Sequence, residues 1–111
     1  MSKDFENSVK EEYILCAAIH YDDGIKYDHQ PINIKTGIVV AGRRHHNCII
    51  TAHILSKGTL KQNPQVQGFI TNRDRFLNRK ESFQVAKKAN QFLIPELGVS
   101  ETEALISEDL W

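Results

Sequence analysis

The sequence is poor in several things at once. Its 111 residues include 2 cysteines, 3 prolines and 1 tryptophan, and its basic and acidic residues cancel at 14 each. Cys16 and Cys48 form no C-x-x-C pair. Each lies in an apolar run, the setting of a buried, unreactive thiol. The longest apolar runs, such as Tyr13-Ile14-Leu15-Cys16-Ala17-Ala18-Ile19, fall well short of the ~20 residues a membrane helix needs. The N-terminal residues are mixed in charge and lack a signal-peptide pattern, so the expected location is the cytoplasm. There is no internal repeat, low-complexity tract or Pro/Gly linker.

The usual machinery of bond breaking is also missing. Neither a Walker loop nor a G-x-G-x-x-G run occurs. Five histidines invite a metal hypothesis, but no H-x₃-H pair exists. His46 and His53 stand roughly two helical turns apart, too far to share one ion, so no metal is expected. Cys48 and His46 are local candidates for a nucleophile and its base, yet no carboxylate stands near to orient them. Asp22-Asp23 fits a turn and Glu108-Asp109 fits tail charge, which leaves the basic half without paired catalytic carboxylates. No catalytic residue and no cofactor is assigned.

What is present is a chain of one-domain length with ordinary globular composition, 41% hydrophobic and 25% charged. So small a core makes association with further copies plausible. The zero net charge hides an asymmetry: 10 basic residues against Asp74 and Glu81 between Arg43 and Lys88, then 5 acids and no base from Glu96 onward. A basic middle suits an anionic ligand, and the acidic tail suits a partner surface.

Taken in order, residues 1–12 read as a flexible arm and 13–111 as a single α+β domain, an antiparallel sheet with two helices packed on it. Tyr13 to Tyr21 is the first strand. Asp22-Asp23-Gly24 is a turn that should return Ile25-Lys26-Tyr27 beside it as a hairpin. Gly37 to Ala41 is a short strand. His45 to Lys57 reads as a helix stopped by Gly58, with Cys48, Ala52 and Leu55 on one face and Ile50 and Ile54 on another, hence covered on two sides. Val66 to Ile70 and Arg75 to Leu77 are strands joined by a turn at Asn72-Arg73-Asp74. Asn78 to Leu93 is a helix with a capping box from Asn78 to Glu81, an apolar stripe through Phe83 and Ala86, and Pro95 beyond its end. The apolar tail with its terminal Trp111 is expected to dock, on its own sheet or on a second subunit.

The stretch around which the rest is organised is Gly42-Arg43-Arg44-His45-His46-Asn47. It joins a β-like run to a helix-like run, and unpaired N–H groups at a helix start point at an anion. Arginine adds a planar fork that grips phosphate oxygens in pairs. Downstream, Gln67-Gly68-Phe69 and Arg75-Phe76-Leu77-Asn78-Arg79 supply aromatics and further arginines. The two segments are expected to meet around a phosphorylated small molecule. Phe69, Phe76 and Phe83 also suit single-stranded nucleic acid, but a neutral chain fits a compact pocket better than an extended groove, and Phe83 belongs to the apolar stripe. A small nucleotide-processing enzyme using His45 or His46 as acid and base is the remaining alternative.

The set Gly42-Arg43-Arg44-His45, Gln67-Gly68-Phe69, Arg75-Phe76-x-x-Arg79-Lys80-Glu81, Ala86, Ala89-Asn90-Gln91 and Ser107-Glu108-Asp109-Leu110-Trp111 resembles a family of small phage and prophage proteins associated with the first type of Thoeris anti-defence protein. The resemblance covers roughly residue 38 to the end. It departs at Asn72-Arg73-Asp74, where a glycine-containing turn is usual. It implies a non-enzymatic sponge that holds cyclic ADP-ribose isomers made by bacterial immune sensors, in pockets at a homodimer interface. Arg43, Arg44 and Arg79 would then meet the pyrophosphate, with His45 and Arg75 beside them. Phe69 or Phe76 would meet the adenine face, and Asn78 or Asn90 a ribose hydroxyl or base edge.

Overall fold

The computed structural model describes residues 11–93 and 104–111. Four strands form one sheet: β1 (Ile14–Tyr21), β2 (Ile38–Gly42), β3 (Gln65–Thr71) and β4 (Phe76–Asn78). Their order is β2-β1-β3-β4, with every neighbouring pair antiparallel. Two helices accompany them, α1 (His45–Ser56) and α2 (Arg79–Lys88), with short 3₁₀ turns at Leu60–Gln62 and Ser107–Asp109.

Strand alternation divides the sheet into two faces. Ala17, Ile19, Tyr21, Val40 and Phe69 point to one face, where they pack with Cys48 and Ala52 of α1, Phe83 and Ala86 of α2, and Leu105 and Leu110 of the tail. Segment 22–37 covers the other. There His20 donates from Nε2 to the Thr36 carbonyl at 2.7 Å and tilts against Phe76 with ring centroids 5.7 Å apart. Asn33 Oδ1 accepts from the Phe76 N–H at 2.8 Å, and Ile32 N–H donates to the Asp74 carbonyl at 2.8 Å.

The Asp22-Asp23-Gly24 turn forms, but the expected hairpin does not. Asp22 and Asp23 accept from the N–H groups of Gly24 and Ile25, and the Tyr27 hydroxyl donates to Asp23 at 2.6 Å. These local bonds turn Ile25-Lys26-Tyr27 off the sheet, and the β-branched run Ile38–Gly42 takes the place beside β1. Residues 1–10 of the expected arm lie outside the described residues. Glu12 is anchored, with its carboxylate accepting from Nε and Nη2 of Arg75 at 2.8 Å each and from the Thr71 hydroxyl at 2.7 Å.

Helix α2 starts as expected. Asn78 Oδ1 accepts from Glu81 N–H at 2.8 Å, and Glu81 Oε1 accepts from Asn78 N–H at 3.0 Å. It ends five residues sooner than the apolar stripe suggests, because Asn90 adopts a left-handed conformation with φ 56°. The chain then swings Gln91 onto the start of β1, where its side-chain amide exchanges hydrogen bonds with both N–H and C=O of Ile14 at 2.8 Å. A side chain here fills the ladder position that a strand would otherwise occupy. Helix α1 forms as expected but is not covered on two sides: Cys48 and Ala52 are buried, whereas the Ile50–Ile54 face is open and Leu55, on the Cys48 side, is exposed as well. Ile50, Ile54 and Leu55 are 54%, 68% and 77% exposed.

Candidate functional site

Strand β2 delivers Gly42-Arg43-Arg44 into α1, and the turn is tied locally, Asn47 Oδ1 accepting from Arg44 N–H at 3.1 Å. His45, the first residue of α1, reaches across to β3. Its Nε2 stands 2.8 Å from the Gly68 carbonyl, and its ring meets Phe69 edge-on at 5.0 Å and 79°. Gly68 lets β4 lie close at this point, since a Cβ there would fall 2.0 Å from the Leu77 carbonyl oxygen.

The tail closes the corner. Leu105 and Leu110 insert into the core. Between them, the Ser107 hydroxyl lies 2.9 Å from His45 Nδ1 and 3.3 Å from the His45 backbone nitrogen, whose N–H it accepts. Arg79 donates from Nε to the Leu105 carbonyl at 2.9 Å, and Leu105 N–H returns a bond of 2.9 Å to the Arg79 carbonyl. Arg44 donates from Nη2 to the main-chain oxygen of Trp111. The Trp111 ring lies 6.5 Å from that of Phe69, tilted by 35°.

A carbonyl oxygen only accepts, so the proton of neutral His45 sits on Nε2, and Nδ1 takes the proton of the Ser107 hydroxyl as acceptor. Burial holds the His45 pKa below its ordinary value. The bond to Gly68 opposes that shift, and the nearby charge of Arg79 adds to it. The imidazole is therefore a neutral cross-link between α1, β3 and the tail. Ser107 is only 2% exposed, so this hydroxyl–imidazole pair is closed to a substrate.

The charges of the corner are less balanced than its hydrogen bonds. Among the described residues, Arg79 is met by the uncharged Leu105 carbonyl and Arg44 by the main-chain oxygen of Trp111, and no Asp or Glu side chain lies within ion-pair distance of these two or of Arg43. Arg43 is exposed at the rim. A carbonyl oxygen holds the Arg79 guanidinium in place without cancelling its charge, so Arg79 and the exposed Arg43 keep charge for an anion, with the Glu108 carboxylate of the tail the opposing charge nearby.

Of the residues nominated from sequence, the fold brings together Arg44, His45, Phe69 and Arg79, with Arg43 exposed beside Arg44 in the chain. It sets the others to different work. Arg75 is spent on Glu12, which holds the Glu12 carboxyl below its ordinary pKa and raises that of Arg75. Asn78 caps α2. Asn90 lies at the opposite end of α2 from Arg79, roughly 16 Å along the axis. Phe76 packs on the sheet face opposite to Phe69. With Phe69 at 0% and Phe76 at 6% exposure, neither ring presents a face for a base, and Phe83 at 2% is core. Ser107, Leu105 and Trp111 were not nominated, although the apolar–serine–acid–apolar pattern of the tail was their signal. No three His, Cys, Asp or Glu side chains gather to hold a metal, and no helix is long and apolar enough to cross a membrane, among the described residues.

A protein-family model described as phage T4 y16D protein matches residues 13–111, which takes in every part of this corner. No curated protein and no solved structure matches the chain.

Proposed function

The chain belongs to the phage T4 y16D protein family, and we propose that it is a non-enzymatic binding protein for a small phosphorylated nucleotide of the cyclic ADP-ribose class. It would sequester that immune signal in the host cytoplasm and so counteract anti-phage defence. The observation that carries the reading is the arginine corner: Arg44 and Arg79, distant in sequence, are both held beside the tail by main-chain oxygens, with Arg43 exposed next to Arg44 and no Asp or Glu side chain paired to any of the three among the described residues. A pyrophosphate supplies the negative oxygens that such a corner lacks. Of the motifs that resemble the Thoeris anti-defence proteins, those around Arg44-His45, Gly68-Phe69, Arg79 and Ser107 to Trp111 lie at this corner, which supports the reading.

Binding is favoured over catalysis because the one hydroxyl–imidazole pair among the described residues has its hydroxyl buried and its ring oriented by a carbonyl, not by a carboxylate. It is favoured over single-stranded nucleic acid because the phenylalanines that would stack bases are enclosed. The uncovered aliphatic surface of α1, the Ile50–Ile54 face with Leu55 exposed on the side of Cys48, supports association with a second copy of the chain.

The test is a melting series with cyclic ADP-ribose isomers, cyclic dinucleotides and short oligonucleotides, followed by mass measurement of the ligand released by heat. A rise in melting temperature with a cyclic ADP-ribose isomer that is returned intact supports the reading. Altered product means an enzyme, and no shift with any nucleotide defeats the proposal. Charge reversal of Arg43 to Glu should abolish the rise.

A further inference from the structure

Any nucleotide at this corner must place its base somewhere, and the two phenylalanines first nominated are closed. The aromatic that remains is Trp111, the one tryptophan of the chain. Its backbone is held on both sides, the N–H donating to the Ser107 carbonyl at 3.0 Å and the main-chain oxygen accepting from Arg44. Leu110 beside it is 6% exposed and acts as its anchor. The indole itself is only partly buried. It packs against the core with its ring 6.5 Å from that of Phe69, which His45 also meets edge-on. The corner thus carries an aromatic cluster in which Phe69 is enclosed and His45 and Trp111 are each partly exposed, the imidazole being committed to Gly68 and Ser107 and the indole ring not.

An aromatic ring backed by packed side chains and bordered by guanidinium groups is suited to a purine. The large π-surface of indole gives the strongest stacking of the natural side chains, and a neighbouring cation complements the phosphate attached to the same ligand. Arg44 links the two functions, because the guanidinium that borders the anion site also fixes the main chain of the stacking residue.

We propose that Trp111 is the base-stacking residue of the site, selecting a purine nucleotide that carries a pyrophosphate over the same anion without a base. This rests on the reading of the corner as a nucleotide site and adds to it the residue that recognises the base. Trp111 then sets specificity, while Arg43, Arg44 and Arg79 supply the attraction common to all phosphorylated ligands.

The experiment titrates cyclic ADP-ribose and inorganic pyrophosphate into the full chain, following indole emission and melting temperature together. The single tryptophan makes the emission specific to the site. Cyclic ADP-ribose is expected to quench it, since a stacked purine quenches indole, and pyrophosphate to leave it nearly unchanged. Trp111→Phe, which keeps a ring, should bind cyclic ADP-ribose within a few-fold of the parent. Trp111→Leu, which fills the space without a π-face, should bind about tenfold more weakly, and its loss for pyrophosphate should be several-fold smaller. If Trp111→Leu binds cyclic ADP-ribose as tightly as the parent, and the parent's emission is unmoved at saturation, the role of Trp111 is overturned while the nucleotide site stands. If neither ligand raises the melting temperature of the parent, both fall.

Discussion

His45 Nδ1 lies 2.9 Å from the Ser107 hydroxyl oxygen, across 62 residues of sequence. That contact joins the start of α1 to the tail at a place where neither partner meets water freely. It makes the arginine corner a property of the folded chain and not of any one segment.

Removing the hydroxyl should loosen that join. Ser107→Ala leaves a half-buried imidazole nitrogen without its donor, a loss worth about 1–3 kcal/mol. Urea unfolding should show the midpoint falling accordingly. Ser107→Thr, which keeps the hydroxyl, should recover part of the loss.

The same imidazole predicts a pH dependence. Burial holds the folded-state pKa of His45 below its usual 6.5. As pH falls through about 6.5, the unfolded chain takes up a proton that the folded chain still refuses. The unfolded state binds more protons in that window, so stability declines from about pH 6.5 down to the lowered folded value. His45→Gln should flatten the slope there, whatever it does to stability at neutral pH. Glu12 acts in a more acidic window. Its hydrogen bond to Arg75 lowers its folded pKa from 4.5, so its contribution is complete above that value and is lost as pH falls through the folded value. Glu12→Gln should remove that part of the acid limb.

Gly68→Ala should be among the most damaging small substitutions. A methyl group there meets the Leu77 carbonyl oxygen at 2.0 Å and the Phe76 ring at 2.8 Å. The strand must move to make room, and the cost should exceed the roughly 1–3 kcal/mol of ordinary overpacking. Circular dichroism melts would show it. The His45 contact to the Gly68 carbonyl should be lost as well.

Self-association should depend on the uncovered face of α1. Ile54→Lys places a charge on a residue 68% exposed, so the single chain should keep its stability to within about 0.5 kcal/mol. Sedimentation velocity should then show a larger species for the parent and a smaller one for the variant. Equal coefficients for both would remove this face as the contact surface.

Much of the fold was legible because local chemistry and burial agree there. Asn78 and Glu81 cap α2 as their spacing requires, Phe83 and Ala86 face the core, and the run ending at Gly42 is a strand that delivers its arginines into a helix. Segment 22–37 was less legible. Two aspartates that bond their own following N–H groups specify a turn, not what the chain does after it. The end of α2 was hidden because Asn90 competes as a left-handed terminus against an apolar stripe that continues through Leu93. In the site, the arginines were legible as charges and the phenylalanines were misleading as rings. Phe69 pairs with Leu77 across β3 and β4, so its neighbour Phe76 necessarily points to the other face. That offset belongs to strand register, which neither residue declares by itself.

The placement of the tail also governs when the corner can exist. The sheet, α1 and α2 draw only on residues up to 88, whereas the partners of Arg44, His45 and Arg79 lie between Leu105 and Trp111. Whatever the order in which the sheet and helices form, the corner is complete only once the segment from Leu105 to Trp111 has docked on them. Until then the imidazole of His45 and the guanidinium groups of Arg44 and Arg79 lack these partners, so undocking of one short segment would dismantle the corner while leaving the strand ladder intact.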